Sequence, residues 1–176
     1  MILGLDVSTS ITGATIIDEK GDVLMCEAWD TRKFKNFFDK AAFIRTRILD
    51  TKIDFPITKV VIEQSLQMFR PGFSSAKTLT TLAKFNGVVS WMCYRLTGLE
   101  PEYVSATTAR KSAGISVKRG QKAKEVVVKF VLDNEPQFIV EYTKHGNPRP
   151  ECFDKADSWV IAKYGYNLWQ QEKKKS

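Results

Sequence analysis

The sequence predicts a single α/β domain built around a mixed β-sheet. Three short apolar segments with strand character open the chain, and polar turns separate them. Helical patterns then alternate with two further short strands, the order expected when parallel strands extend an antiparallel meander. The 176 residues and the 43% hydrophobic content suit one domain, with residues 1–170 as its core and 171–176 as a basic tail.

The first three strands are predicted from runs of apolar and β-branched residues. The first run ends at Leu5, the second covers 12–17 and the third covers 23–29. A polar turn over 18–22, which contains Gly21, joins the second run to the third. Short connections of this kind predict neighbouring antiparallel strands.

A crossover helix predicts that the fourth strand lies parallel to the first. Residues from about 36 to 52 carry apolar side chains at helical spacing, and 60–63 form a short strand ending in Glu63. A long helix over about 75–97 follows and ends at Gly98. The remaining sequence predicts a strand over 102–104, helices over 106–113, 121–132 and 152–171, and an irregular stretch over 133–151.

The net charge of +7 and the sequence pI near 9.3 favour a polyanionic partner such as nucleic acid. Seven basic residues and one acid, Glu125, lie between Ser105 and Phe130. We expect this basic segment to contact phosphates. Its members are Arg110, Lys111, Lys118, Arg119, Lys122, Lys124 and Lys129.

The cysteines and the N-terminus indicate a cytoplasmic protein. Cys26, Cys93 and Cys152 are odd in number and widely spaced, so we expect reduced, buried thiols and no disulfide framework or zinc site. The opening apolar run is shorter than a signal-peptide core of roughly 7–15 residues or a membrane span of about 20. The sequence therefore predicts no membrane partner.

Four carboxylates carry the strongest functional signal. Asp6 and Glu63 each follow a predicted strand, and Asp154 and Asp157 lie three apart at the predicted start of the final helix. Taken separately, they could be an Asx-turn, a surface acid and two helix-capping residues. Their joint occurrence at element ends favours one shared site instead, and oxygen-only ligands favour Mg²⁺, with Mn²⁺ as a substitute. Two metal ions held this way support phosphodiester cleavage.

Three other residues have two readings each. His145 lies in a polar stretch and is predicted to be a loop residue, with contact to nucleic acid or to an attacking water as the alternative. Leu66 and Phe69 lie on a predicted loop and could pack beneath it or wedge into a DNA base step.

Several motifs occur together in a characteristic order and spacing. They are Ile2-Leu3-Gly4-Leu5-Asp6 with Gly13, Val61-Ile62-Glu63-Gln64, residues 79–87 in the following helix, and Asp154-Lys155-Ala156-Asp157. On these motifs the chain resembles the RuvC-type Holliday-junction resolvases, most of all the small phage or viral members, within the ribonuclease H-like superfamily. The resemblance spans nearly the whole chain.

The resemblance implies a ribonuclease H-like five-stranded sheet and a homodimeric, Mg²⁺-dependent endonuclease that nicks two strands of a four-way DNA junction symmetrically. It implies that Asp6, Glu63, Asp154 and Asp157 are the metal-binding catalytic acids. It also implies a dimer interface along the helix near 75–97, where the small residues Ser75, Ala76, Ala83 and Gly87 would permit close approach.

Resemblance to the family also suggests two catalytic lysines eleven residues apart. Lys111 and Lys122 have this separation, and Arg110 is a rival for the first position. The family places an aromatic wedge three residues after its glutamate, whereas this chain has Leu66 there and Phe69 three positions later. The identity of the wedge and the cleavage preference therefore stay open.

Alternative functions remain at this point. A nuclease could act mainly on replication forks, flaps or other branched DNA, and a junction-binding module could keep the fold without cutting. Actin-like and sugar-kinase ATPases also begin with a strand, an Asp and a hydroxyl-rich turn. They need two such lobes, however, and this chain has one.

Overall fold

One five-stranded sheet with five helices forms the core of the protein. The computed structural model describes residues 1–65 and 75–175. The strands are β1 (Ile2–Asp6), β2 (Ile11–Ile17), β3 (Val23–Asp30), β4 (Lys59–Glu63) and β5 (Glu102–Val104). The helices are α1 (Phe37–Asp54), α2 (Ala76–Thr97), α3 (Ala106–Ser112), α4 (Ala123–Asn134) and α5 (Pro150–Lys173).

The strand order is β3-β2-β1-β4-β5, which confirms the predicted mixed sheet. The first three strands pair antiparallel, and β4 joins β1 in parallel, with Leu5 opposite Ile62. Strand β5 then pairs in parallel with β4. Because β1 and β4 run the same way, their carboxyl ends, Asp6 and Glu63, lie at the same edge of the sheet.

Helices cover both faces of the sheet. Helices α1 and α2 bury one apolar layer, which includes Ile44, Ile48 and Phe85 beneath Leu3 and Leu5 of β1. Helices α3, α4 and α5 bury the other layer on the opposite face, where the core residues include Val127, Val131, Trp159 and Ile161. Burial on both faces explains why β1 and β4 are almost continuously apolar.

Helix α5 lies unusually close to the sheet because two glycines in the strands leave room for it. A Cβ added to Gly4 would lie 2.4 Å from the backbone nitrogen of Ala162. A Cβ added to Gly13 would lie 1.9 Å from the backbone oxygen of Asp154. The close approach at Gly13 fixes the start of α5 beside the end of β1, since Gly13 pairs with Asp6.

The last two helices differ from their predicted bounds. Helix α4 begins at Ala123 rather than 121, with Lys122 as its N-cap residue. Helix α5 begins at Pro150 rather than 152, after Arg149, because proline is preorganised for a first helical turn. Asp154 therefore lies in the second turn, and its reading as a helix cap is wrong. Helix α5 also continues to Lys173, into the stretch assigned to the basic tail.

The cysteines are free thiols, as predicted, with Cys93 and Cys152 buried and Cys26 only partly so. No helix within the described residues has the length and apolar character needed to cross a bilayer.

Candidate active site

A cleft of about 270 Å³ opens at the edge of the sheet where β1 and β4 end. Asp6 from β1, Glu63 from β4 and Asp154 from α5 all line it. Asp157, about one turn further along α5, lies near enough for its charge to act on Asp6, Glu63 and Asp154. The structure thus brings together the four carboxylates that the sequence identifies.

The turn after Asp6 is held by its own hydroxyl groups. The Ser8 hydroxyl accepts hydrogen bonds from the backbone N–H groups of Ser10 and Ile11, both at 3.1 Å, and donates to the Ile11 carbonyl at 2.9 Å. Thr31 reaches across from the end of β3 and donates to the carbonyls of Thr9 and Ser10. This bonding makes the turn a rigid wall of the site.

Glu63 is held at the junction of three elements. The buried Asn86 side chain in α2 donates to the Glu63 carbonyl at 2.9 Å. On the other side Glu63 pairs with Val104 of β5, and the Gln64 N–H donates to the Val104 carbonyl. The role of Asn86 cannot be read from the sequence, because a single polar residue in a helix gives no signal about which backbone group it will meet.

Asp154 and Asp157 derive their positions from the packing of α5. The Asp154 backbone sits over Gly13, and one turn later the Ser158 hydroxyl meets the Thr15 hydroxyl of β2 at 2.8 Å in a buried contact. The i, i+3 spacing then directs both carboxylates to the same side of the helix.

All four carboxyl groups have raised pKa values. Burial is the main cause in each case, and it raises the pKa of Glu63 to about 7 and that of Asp154 to about 6. Burial also raises the pKa of Asp6 well above its usual range, and the charges of Glu63, Asp157 and Asp154 add to this effect. A cation that binds among carboxylates crowded in this way stabilises their ionised form.

Basic residues oppose this crowding, with Arg32 acting on Asp154 and two others acting more widely. The Lys124 ammonium lies 3.8 Å from the Asp157 carboxylate, and its charge lowers the pKa of all four acids against the effect of burial. Arg110 acts in the same direction on Glu63 and Asp157. Its guanidinium is anchored by a hydrogen bond from Nε to the Ala106 carbonyl.

The proposed lysine pair is oriented differently. Lys122 donates to Glu125 at 2.9 Å and its side chain is 79% exposed. Lys111 is exposed, and within the described residues it makes no hydrogen bond or ion pair with the four carboxylates. The spacing of eleven residues therefore does not identify the basic residues that face the acids. The side-chain directions at the end of α3 and the start of α4 decide which basic residues point into the site.

Lys118 and Arg119 lie in the exposed connection between α3 and α4, a few residues before Lys122. His145 is an exposed loop residue, as predicted. The two wedge candidates, Leu66 and Phe69, lie outside the described residues.

The donor set suits a hard divalent cation, since it consists of carboxylate oxygens. Across residues 1–65 and 75–175, however, no three Asp, Glu, His or Cys side chains are already arranged as ligands of one metal ion.

The chain has the fold of known junction resolvases. No family model and no curated protein matches its sequence. Among solved structures, Thermus thermophilus RuvC in complex with a Holliday junction substrate is 17% identical, with a TM-score of 0.68 over 97% of this chain and 94% of that one. A second Thermus thermophilus RuvC structure is 19% identical, with a TM-score of 0.64 over 97% and 96% of the two chains.

The yeast mitochondrial Holliday junction resolvase Ydc2 is also similar. It is 16% identical, with a TM-score of 0.60 over 98% of this chain and 80% of that one. At such identities the likeness establishes a shared fold. The predicted ribonuclease H-like architecture is thereby confirmed over nearly the whole chain.

Proposed function

We propose that this protein is a metal-dependent endonuclease that resolves four-way DNA junctions by paired, symmetric nicks. The observation that carries the proposal is the convergence of Asp6, Glu63, Asp154 and Asp157 on one cleft, at the edge of a sheet whose fold is shared with RuvC. A neighbour with this fold is seen with a Holliday junction substrate, which supports branched DNA as the substrate class.

The four carboxylates would hold Mg²⁺, or Mn²⁺ in its place, once their side chains turn toward the cation. When bound, the metal would supply activation of a water nucleophile and stabilisation of the leaving oxygen. The raised pKa values support this fit. Burial and neighbouring acids both disfavour the ionised carboxylates, and a divalent cation would stabilise them.

Lys124 and Arg110 would act on the DNA strand at the same site. Both place a positive charge beside the carboxylates, so either can bind a phosphate that enters the cleft. Lys111, Lys118, Arg119 and Lys122 would extend this basic surface outward, where phosphate contacts position DNA without reading its sequence.

A homodimer through α2 completes the proposal. Phe38 and Trp91 are 75% and 62% exposed, and with Gly87, Val88 and Met92 they line an apolar groove along α1 and α2. Exposed apolar surface of this kind marks interaction sites. Two copies related by a two-fold axis would present one active site to each of two equivalent strands of a junction.

Cleavage of a DNA panel tests the proposal. Labelled four-way junctions, forks, flaps and linear duplex are incubated with the protein, with Mg²⁺ and with EDTA. We expect Mg²⁺-dependent nicking of the junction, and a loss of at least roughly 100-fold on Asp6→Asn or Asp157→Asn, because several kcal/mol of transition-state stabilisation depend on the metal. Junction binding by both variants should persist.

Each competing function gives a different result in this assay. Preferred cutting of forks or flaps would show that the main substrate is another branched DNA and not the four-way junction. Binding without cutting would indicate a junction-binding module, and equal cutting of linear duplex would contradict resolvase activity. Full activity of both acid variants would contradict the metal assignment.

A further inference from the structure

A surface hairpin over residues 142–148 lies just before the helix that carries Asp154 and Asp157, and it has no role in the site described above. A bridge between Tyr142 and Pro148 closes it, and the Thr143 N–H donates to the Asn147 carbonyl at 2.8 Å. Gly146 at its tip has φ of 78°, a left-handed conformation that glycine adopts without strain. The sequence predicts only irregular structure here.

Several contacts tie the base of the hairpin to the start of α5. The Arg149 N–H donates to the Glu141 carbonyl at 2.8 Å, and the Glu141 N–H lies 3.3 Å from the Cys152 sulfur. The Lys155 ammonium donates to the Ile139 carbonyl at 3.1 Å. These contacts fix the base of the hairpin to the start of α5, the helix that contains Asp154.

The hairpin is close to the site along the helix axis. Arg149 precedes Asp154 by five residues, which corresponds to about 7 Å at the α-helical rise of about 1.5 Å per residue. Lys124 of α4 and Arg110 of α3 act on the same group of carboxylates.

The charge and exposure of the hairpin fit a DNA backbone. Residues 142–149 contain Lys144, His145 and Arg149 and no acid. Among the described residues, no carboxylate pairs with Lys144, and both Lys144 and His145 are exposed. Tyr142, beside them, is 55% exposed. Exposed donors next to an exposed aromatic ring suit contact with phosphates and the adjoining sugars.

We propose that the 142–148 hairpin binds the DNA backbone beside the cleaved bond, with Lys144 and His145 as its phosphate donors. This inference rests on the proposed function for the position of the cut, but the contact itself is with DNA and needs no cleavage.

The test measures DNA binding in the full-length protein carrying Asp6→Asn, so that the DNA stays intact. Affinity for a labelled four-way junction is measured from 50 to 200 mM salt for this protein, for the added pair Lys144→Ala and His145→Ala, and for a control with Lys52→Ala. Lys52 is exposed in the last turn of α1, on the opposite side of the sheet. Hydroxyl-radical footprints are recorded on the same complexes.

We expect the hairpin pair to lower the salt slope by about one and the affinity by roughly 3- to 30-fold, because loss of one lysine–phosphate contact removes about 0.9 from the slope. Its footprint should lose protection on one side of the cut. The Lys52→Ala control should match its parent. Unchanged slope and footprint in the hairpin pair, with unchanged thermal stability, would overturn the proposal.

Failure of the hairpin proposal is distinguishable from failure of the proposed function. Cleavage of the junction by the protein with Asp6 intact, together with an unchanged salt slope in the hairpin pair, would contradict the hairpin proposal alone. A hairpin-dependent slope without cleavage of any substrate would leave the hairpin as a DNA-binding surface and remove the nuclease assignment. Absence of any DNA binding would overturn both.

Discussion

At the scale of single residues, Lys124 and Lys122 meet different partners although only one residue separates them. Lys124 lies 3.8 Å from the Asp157 carboxylate, whereas Lys122 pairs with Glu125. We predict that Lys124→Ala lowers the cleavage rate roughly 10- to 100-fold, because an inward-facing charge beside the reacting phosphate contributes through electrostatic stabilisation. Single-turnover cleavage of a junction at saturating protein measures this rate.

Lys122→Ala serves as the matched comparison, with the same change two positions away. It should mainly weaken DNA binding and lower the salt slope by about 0.9, the value for one phosphate contact. If Lys122→Ala slowed cleavage at saturation as much as Lys124→Ala, the assignment of Lys124 as the inward residue would be wrong. An unchanged salt slope would remove Lys122 from the DNA-binding surface.

The pKa values predict how Glu63 links stability to pH. Folding raises the pKa of Glu63 from 4.5 to about 7, so the folded protein holds this proton more tightly than the unfolded chain. The stabilising contribution is fully present below pH 4.5 and is lost as the pH rises through 7. Glu63→Gln, which stays neutral, should therefore gain stability relative to the wild type between pH 5 and pH 8 in EDTA.

Thermal unfolding at a series of pH values checks this prediction. Mg²⁺ should raise the melting temperature of the wild type more at pH 8 than at pH 5.5, since the cation binds deprotonated carboxylates. Glu63→Gln should show a smaller Mg²⁺ effect. A stability difference that does not change with pH would contradict the raised pKa of Glu63.

The acids of the candidate site were easier to predict from the sequence than its bases. Asp6 and Glu63 follow apolar strands whose relative direction the crossover helix indicates, so the sequence alone predicts that they share one edge of the sheet. Lys124 could not be singled out in this way, since it lies in a segment with seven basic residues. Only the orientation of α4 shows that Lys124 meets Asp157 while Lys122 turns to Glu125.

At the scale of elements, the bounds of the strands were predicted to within one residue, and those of the last helix to within two residues at each end. The runs that form β1, β2 and β4 are apolar on both faces, which is a strong local signal. The start of α5 depends instead on Pro150 and on packing over Gly13, and the polar residues before it gave no helical period. The 142–148 hairpin was missed for the same reason, since its residues have no apolar alternation.

The close approach of α5 to β2 at Gly13 can be tested by a single substitution. We predict that Gly13→Ala forces α5 away from β2, because the added Cβ would overlap the Asp154 carbonyl. Overpacking of this kind costs about 1–3 kcal/mol. The shift should also displace Asp154 and lower cleavage by more than the loss of folded protein explains.

Chemical denaturation and cleavage of the same Gly13→Ala preparation measure both effects. Gly87→Ala is a suitable control for the stability measurement alone, because a Cβ there would meet nothing within 4 Å of the chain itself but Gly87 lines the proposed dimer groove. Wild-type stability and activity in Gly13→Ala would show that α5 does not depend on this close approach.

At the scale of the whole molecule, strand order and connectivity could be predicted because crossover rules leave few arrangements for a meander followed by alternating helices and strands. The proposed assembly of two copies cannot be predicted from these rules. It rests on the resemblance and on the exposed groove that contains Trp91.

Disruption of this groove should produce a monomer. We predict that Trp91→Asp, which places a charge on the apolar face of α2, halves the mass measured by sedimentation at micromolar concentration. The variant should still bind junctions but should nick one strand at a time. Ile53→Asp alters an equally exposed apolar residue in α1 that does not line the groove, and it should leave the mass unchanged. A monomeric wild type would contradict the proposed dimer.

Cleavage of a supercoiled plasmid that extrudes a cruciform is the decisive test of paired junction cleavage by this protein. Paired nicks across the junction within one binding event convert this plasmid to a linear form, whereas independent nicks accumulate as open circles. We predict Mg²⁺-dependent linear product with ends at the base of the cruciform, and none from Asp6→Asn. Open circles alone, ends scattered around the plasmid, or equal cutting of a plasmid without the cruciform would contradict the account.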